Sequence, residues 1–231
     1  MIYELDPLDY EFPKHIRPND DEPVAWGGDL SPERLINAYM LGIFPWNSFT
    51  EEHILWWCPE NRFVIFPDEI HVSHSMRNVI NKGIYKVTYN KNFGRVIFEC
   101  AFSSCGERRY TVDGAWLGGD MCDAYKKLNE IGIAKSVEVW NAKEDRNDAD
   151  EPFIAGGLYG VEMGKTFVGE SMFSLKPNAS KMALICLARK MADTGGLMID
   201  CQLHTDHLES MGGRFIPYRK YMNILERGLS K

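Results

Sequence analysis

The chain has 231 residues, of which 45% are apolar, so it can bury one large core or two smaller ones. No run approaches the about 20 apolar residues of a membrane span, and the first residues, Met-Ile-Tyr-Glu-Leu-Asp, lack the pattern of a secretory signal. The six dispersed cysteines, with no Cys-x-x-Cys pair, indicate reduced thiols, so we expect a cytoplasmic protein. The net charge of -7 excludes an extended basic surface and permits only a local patch for a nucleic acid.

Residues 1–60 predict a small N-terminal α/β domain. Ser31 as N-cap and Pro32 at the first helical position are a typical helix start, and the helix should end at Gly42. An aromatic-rich segment follows up to residue 59. Alternating patterns begin after it, so we place a domain boundary near residue 60 and a second domain over residues 61–231.

Helical and strand patterns mix in the second domain. We predict helices over residues 72–82 and 92–101 on either side of a strand at 85–89. Asp120 resembles the N-cap of a further helix that ends at Gly132. Its apolar stripe consists of Met121, Ala124, Tyr125, Leu128 and Ile131.

The apolar period then changes to two. Residues 135–140, 153–162 and 165–172 predict three consecutive antiparallel strands. A helix over 178–193 and a core strand over 197–203 follow, which implies a right-handed parallel crossover. The fold class is therefore α+β, and a meander that leads into a crossover is the layout of the acetyltransferase-like (GNAT) fold. Fold analogy alone establishes no function.

Three polar side chains interrupt the predicted core strands. Over residues 197–203, Leu197, Ile199, Cys201 and Leu203 form one face, and Met198, Asp200 and Gln202 form the other. On the preceding strand, Glu170 shares a face with Val168 and Met172. Buried carboxylates and amides are costly unless they are hydrogen-bonded or used in chemistry. Both a satisfied buried network and a catalytic site fit these strands.

Seven short motifs resemble one family in order and spacing. They are Gly-Gly-Asp-Leu-Ser-Pro (27–32), Gly-Ile-Phe-Pro-Trp (42–46), Trp-Trp-Cys-Pro (56–59), Gly-Gly-Leu-Tyr-Gly-Val (156–161), Gly-Glu-Ser-Met-Phe-Ser (169–174), Asn-Ala-Ser-Lys (178–181) and Ile-Asp-Cys-Gln (199–202). The family is the leucyl/phenylalanyl-tRNA–protein transferases, and the resemblance covers residues 24 to 227. It implies a small N-terminal domain, a GNAT-like C-terminal domain, and transfer of Leu, Phe or Met from tRNA to proteins that begin with Lys or Arg. That transfer marks the acceptor for degradation.

The resemblance also implies roles for individual residues. The catalytic positions are Asp200, Gln202 and Glu170, and Trp46 and Trp116 match the contacts to the terminal adenosine of tRNA. The positions of the apolar amino-acid pocket are Leu158, Phe167, Met172, Ser174, Leu184, Leu187 and Met191. The basic candidates for contacts to the tRNA backbone are Arg77, Lys82 and Lys86, and Arg108 and Arg109 are further candidates. Each of these residues could equally be an ordinary solvated surface side chain. We expect a monomer.

The chemistry of the reaction agrees with these residues. An aminoacyl ester is already activated, so we expect neither cofactor nor metal; the enzyme has to orient an amine, remove its proton and stabilise an oxyanion. A relay from Asp200 through Gln202 is one way to assist, while Glu170 attracts the N-terminal Lys or Arg or holds the amine. The pairs His71/His74 and His204/His207 have a metal-ligand spacing, but no third cluster completes a site.

Three alternative functions are less well supported by the sequence. An acetyl-CoA-dependent acetyltransferase requires a glycine-rich pyrophosphate loop, and residues 174–180 contain no glycine, which counts strongly against it. An aminoacyltransferase that modifies cell-wall precursors shares the fold but not the motifs. A degenerate module that only binds the tRNA end is disfavoured, because Glu170, Asp200 and Gln202 are all present.

Overall fold

The computed structural model describes residues 2–46, 53–102, 119–142 and 153–230. The strands are β1 (Tyr3–Leu5), β2 (Ala25–Gly27), β3 (Phe44–Pro45), β4 (Leu55–Trp57), β5 (Asn61–Ile65), β6 (Tyr85–Tyr89), β7 (Ala134–Asn141), β8 (Ile154–Met163), β9 (Thr166–Ser174), β10 (Met198–Asp200) and β11 (Arg214–Pro217). The helices are α1 (Pro32–Met40), α2 (His74–Asn81), α3 (Phe93–Phe102), α4 (Gly119–Glu130), α5 (Ala179–Asp193), α6 (Asp206–Glu209) and α7 (Tyr218–Leu229). The segment Pro67–Glu69, which follows β5, is a 3₁₀ turn.

These strands form two sheets and give a mixed α/β architecture. The strands before residue 58 form a four-stranded sheet in the order β1-β2-β4-β3. All later strands form a seven-stranded sheet in the order β11-β5-β10-β9-β8-β7-β6. As the alternation predicts, β7, β8 and β9 are antiparallel neighbours. The strands β9 and β10 are parallel, and α5 connects them.

Two apolar clusters cover the two faces of the large sheet. The first cluster lies under α5, with α2 packed beside it, and contains Ile185, Ile199 and Met76. The second lies under α3, α4 and α7 and continues into α1 and the small sheet, where Leu35 and Trp56 belong to it. The N-terminal segment therefore packs into the same core as the face of the large sheet that carries α3, α4 and α7.

The predicted start of α1 is confirmed. The Ser31 hydroxyl accepts a hydrogen bond from the backbone amide of Arg34, and Pro32 occupies the first turn. The helix ends at Met40, and Gly42 follows with φ of 70°, where an added Cβ would lie 3.0 Å from the Tyr221 ring. Glycine is therefore required both by the backbone and by the close approach of α7.

Several predicted boundaries are wrong. Asp120 is not an N-cap, because α4 already includes Gly119. Ile131 is exposed, because the chain leaves the helix before the left-handed Gly132 and so turns this side chain off the buried stripe. The helix predicted over residues 72–82 begins at His74, where Ser73 caps it, and not at residue 72.

The last predicted strand is much shorter than residues 197–203. Only Met198–Asp200 pairs as a strand, because the chain turns at Gln202, whose φ is 59°. Leu203 is exposed beyond that turn, and Leu197 packs with the cluster under α7 and not with Ile199. The alternation holds for Met198 and Ile199, which lie in opposite clusters.

Candidate functional site

Glu170 lies in a β-bulge of β9. The pairing with β8 shifts so that Ser171 faces Tyr159 while Gly169 faces Gly160, which leaves Glu170 as the extra residue. Such a bulge reverses the alternation of the side chains that follow it. Glu170 therefore points to the α4 side of the sheet, as Val168 does, whereas Met172 packs against the cluster under α5. The predicted common face with Val168 is confirmed, and that with Met172 is wrong.

Three donors reach the Glu170 carboxylate. The Tyr39 hydroxyl donates to Oε1 at 2.8 Å, and the Tyr125 hydroxyl donates to Oε2 at 2.6 Å. The Gln202 side-chain amide donates to Oε1 at 3.0 Å. Burial raises the pKa of Glu170 from 4.5 to about 7, and the two tyrosine hydrogen bonds oppose part of that rise. Glu170 can therefore gain or lose a proton near neutral pH.

The tyrosine pair also explains how the site accommodates a proton. The hydroxyls of Tyr39 and Tyr125 lie 2.7 Å apart, so three oxygen–oxygen contacts close a triangle with the Glu170 carboxyl. While Glu170 is ionised, two hydroxyl protons serve three contacts. A proton on Oε2 would be donated to Tyr125, which donates to Tyr39, which donates to Oε1. All three contacts are then hydrogen bonds, so the neutral form is well satisfied.

Asp200 ends β10 and is completely buried in an ion pair. The Nε atom of Arg62 lies 2.9 and 3.0 Å from its two oxygens. The Tyr221 hydroxyl donates to Oδ2 at 2.9 Å, and the backbone amide of Gln202 donates to Oδ1, also at 2.9 Å. Although burial by itself lowers the pKa of Arg62, the adjacent Asp200 carboxylate raises it well above its ordinary value. Arg62 therefore keeps its positive charge in this buried position.

Gln202 connects the two carboxylates through a turn and not along a strand. Its backbone amide contacts Asp200, and its side-chain amide contacts Glu170. The three predicted catalytic residues thus lie in one hydrogen-bonded cluster. The side chain of Gln202, however, is directed to Glu170 and not to Asp200, which differs from the relay expected from strand alternation.

An apolar cavity of about 320 Å³ opens beside this cluster. Of the predicted pocket residues, five line it: Leu158, Phe167, Met172, Leu184 and Leu187. Met191 instead lines a neighbouring cavity of about 480 Å³, which shares Phe167 and Leu187 as a wall. Ser174 faces the start of α5, where its hydroxyl donates to the carbonyl of Lys176 and accepts from the amide of Ser180.

The cavity also has walls that were not predicted. Ile199, Cys201 and Leu208 add apolar surface, and His207 adds an imidazole whose Nε2 is buried without a hydrogen-bond partner among the described residues. Burial, reinforced by Lys181, lowers the pKa of His207, so its ring is neutral at pH 7. Burial raises the pKa of the Cys201 thiol far above its ordinary value, which argues against a thiolate nucleophile.

Trp46 follows β3 at the edge of the small sheet. It is 40% exposed, packs edge-to-face on Trp57 at 5.5 Å, and accepts the Trp57 indole N–H at its carbonyl at 2.9 Å. A fixed, partly exposed indole is a suitable stacking surface for a base. Trp116, like Arg108 and Arg109, lies outside the described residues.

Comparison with known proteins shows the family to which the chain belongs. The family model "Leucyl/phenylalanyl-tRNA protein transferase" matches residues 64–226, and the model of that family's N-terminal domain matches residues 28–60. The chain belongs to the leucyl/phenylalanyl-tRNA protein transferase family. Proteins named leucyl/phenylalanyl-tRNA–protein transferase from Flavobacterium johnsoniae and Flavobacterium psychrophilum are each 46% identical to it, over 219 and 217 residues. Each alignment covers 94% of this chain and 96% of the relative. A solved structure described as FemX aligns with a TM-score of 0.49 and 11% identity, over 80% of this chain and 66% of its own.

The three basic residues predicted for this transferase family member are on its surface. Arg77 in α2, Lys82 just after α2 and Lys86 in β6 are all exposed. They follow one another in sequence from α2 to β6, which is an edge strand of the large sheet.

One cluster of potential metal ligands exists among the described residues. His204, Asp206 and Glu209 place their ligand atoms within 4.8 Å of one another, and all three are exposed. His204 already lies 2.8 Å from Glu209 and stacks on Phe215. His207, its predicted partner, faces the apolar cavity instead. We assign no metal to this cluster.

Four residues of the site were not found by sequence reasoning. Tyr39, Tyr125, Arg62 and Tyr221 supply most of the donors to Glu170 and Asp200. Tyr39 and Tyr125 appear in the sequence only as members of apolar helical stripes, which conceals their hydroxyl groups. Arg62 offered no signal either, since it follows Glu60 and Asn61 at the polar start of its strand.

The transferase family member has no helix, among its described residues, that is both long enough and apolar enough to cross a bilayer.

Proposed function

We propose that this chain transfers Leu, Phe or Met from an aminoacyl-tRNA to the N-terminal Lys or Arg of an acceptor protein, which forms a peptide bond and creates an N-terminal degradation signal. One observation carries the proposal within this family: a carboxyl whose pKa is about 7 borders an apolar cavity of about 320 Å³. The cavity suits an apolar donor side chain, and the carboxyl suits an incoming amine.

Glu170 is the proton acceptor in this proposal. An N-terminal amine has an ordinary pKa of about 8, and the pKa of Glu170 is raised to about 7, so a proton passes between them at little cost. The amine nitrogen attacks the ester carbonyl carbon, its proton moves to Glu170, and the bond to the ribose oxygen breaks. The proton then passes to that leaving oxygen, which restores Glu170.

Asp200 has a supporting role in the same reaction. Arg62, Tyr221 and a backbone amide already occupy its oxygens. It therefore holds Gln202, whose side-chain amide fixes one face of Glu170 and can orient the acceptor. This role replaces the relay from Asp200 through the Gln202 side chain.

The proposal also assigns residues to the donor substrate. Trp46 and Trp116 stack on the terminal adenosine, and Leu158, Phe167, Met172, Leu184 and Leu187 enclose the donor side chain. Arg77, Lys82 and Lys86 contact the tRNA backbone, with Ser174 and Met191 at the margin of the pocket. Only short 3′-end contacts and a small patch are required, which is compatible with the net charge of -7.

We also infer a GNAT-like topology for the second domain and a domain boundary near residue 60. The antiparallel run β7–β9 and the parallel β9–β10 pair support the topology. The separation of the two sheets at residues 57–61 supports the boundary. Cys58, Cys122, Cys186 and Cys201 are free thiols, which favours the reducing cytoplasm, and we propose that the chain acts there as a monomer.

The direct test is incubation of the purified chain with leucyl-tRNA and a peptide that begins with Arg, followed by mass spectrometry. The proposal expects the peptide to gain one leucine residue, and a matched peptide that begins with Asp to gain none. Acetyl-CoA in place of leucyl-tRNA should give no acetylated product. Binding of leucyl-tRNA without any transfer would instead favour a module that only holds the tRNA end.

A further inference from the structure

Arg62, in β5, is buried between two aromatic rings. Its guanidinium carbon lies 4.7 Å from the centre of the Phe44 ring and 4.6 Å from that of Tyr221. Its Nε atom bonds both oxygens of Asp200, at 2.9 and 3.0 Å. The rings and the carboxylate together fix the plane and the position of the guanidinium, a geometry that lysine cannot reproduce.

The turn at Gln202 depends on this ion pair. Its φ of 59° is a conformation that side-chain-bearing residues avoid unless their surroundings impose it. Asp200 Oδ1 holds its backbone amide at 2.9 Å, and the backbone amide of Phe63, the residue after Arg62, donates to its carbonyl at 3.2 Å. Held in this way, the side-chain amide reaches Glu170 at 3.0 Å.

Arg62 also contacts the strand that leads to the proposed adenosine site. Phe44, which stacks on its guanidinium, precedes Trp46 by two residues in the same short segment. The small sheet and the Gln202 turn therefore meet at one side chain.

We infer that Arg62 is a positioning residue of the transfer reaction: through Asp200 it holds the Gln202 turn against Glu170, and through Phe44 it joins that turn to the segment of Trp46. This inference rests on the proposed function. Without Arg62, Asp200 is buried without its cation and must take up a proton or move toward water. Either change releases the Gln202 amide.

The test compares Arg62→Lys and Arg62→Met with a substitution of another buried arginine, Arg34. Arg34→Lys is the control, because Arg34 is equally buried but bonds Asp29 and N-terminal backbone carbonyls, with no contact to the catalytic cluster. For each variant, melting temperature, kcat and KM for leucyl-tRNA are measured with the Arg-starting peptide. Tyr221→Phe, which removes one hydrogen bond to Asp200, is the milder variant to use if Arg62 variants do not fold.

The inference expects kcat of folded Arg62→Lys to fall at least tenfold and that of Tyr221→Phe several-fold, with KM for leucyl-tRNA changed less than threefold. Arg34→Lys should lose melting temperature but keep kcat within twofold. In an Asp200→Asn background, Arg62→Met should reduce kcat no further, since the two act as one unit. A wild-type kcat in folded Arg62 variants, or in Tyr221→Phe where the former do not fold, would overturn the inference. A loss of kcat in proportion to the unfolded fraction of the variant would also overturn it. Absence of transfer by the wild-type chain would overturn the proposed function, and this inference with it.

Discussion

Glu170→Gln separates the charge of the catalytic carboxyl from its shape. Because burial raises the pKa of Glu170 from 4.5 to about 7, the folded chain binds this proton more tightly than the unfolded chain does. The free energy of unfolding of the wild type therefore falls as the pH rises from about 4.5 to about 7. A glutamine at this position carries no titrating proton and does not show this fall. Between pH 5 and pH 8 the stability of wild type should fall relative to Glu170→Gln by roughly 2–3 kcal/mol.

The same substitution should abolish most of the activity. A positioned general base contributes about 10²- to 10⁴-fold, so kcat of Glu170→Gln should be at least about a hundredfold below wild type. The wild-type pH–rate profile should rise with two groups, Glu170 near pH 7 and the acceptor amine near pH 8. Glu170→Gln should lose the rise in rate near pH 7 and keep the rise near pH 8.

The assay combines urea unfolding and single-turnover transfer at pH 5, 6, 7 and 8 on the same preparations. Glu162→Gln is the matched control, because Glu162 is an exposed carboxylate in the adjacent strand β8. It should show neither the pH-dependent stability difference nor the loss of kcat. A stability difference that stays constant from pH 5 to pH 8 would refute the buried, raised pKa. A variant kcat within tenfold of wild type would remove Glu170 as the proton acceptor.

Three further predictions concern the two substrates. Alanyl-tRNA lacks three carbons of leucine, so at about 0.8 kcal/mol each its kcat/KM should be about 50-fold lower; equal values would contradict an apolar donor pocket. Trp46→Ala should raise KM for leucyl-tRNA by about 5- to 150-fold, the equivalent of one stacked base, and an unchanged KM would exclude that contact. Replacement of both Arg77 and Lys82 by Ala should reduce the slope of log K against log salt by roughly 1.5, since two phosphate contacts are lost. An unchanged slope would direct attention to Lys86.

Much of the large sheet could be read directly from the chain. The period-two pattern of residues 135–172 gave three neighbouring antiparallel strands to within two residues, because local alternation reports directly which side chains face a core. The start of α1 was equally local, since Ser31 caps the helix through a contact three residues away. The backbone departs from a regular strand at the Glu170 bulge and at the Gln202 turn. The prediction assumed that strict alternation continued through both places, so it assigned the side chains after them to the wrong face.

The site divides in the same way. The sequence by itself determined that Glu170, Asp200 and Gln202 were polar residues in apolar surroundings that had to be satisfied or used. Only the tertiary structure decided how. Arg62 is 138 residues from Asp200 and Tyr39 is 131 residues from Glu170, and no local period carries information over such separations. Which carboxylate is paired with an arginine, and which keeps a proton that it can exchange, depends on the charges and hydroxyls that folding places beside each one, because burial by itself disfavours the charged form of any carboxylate.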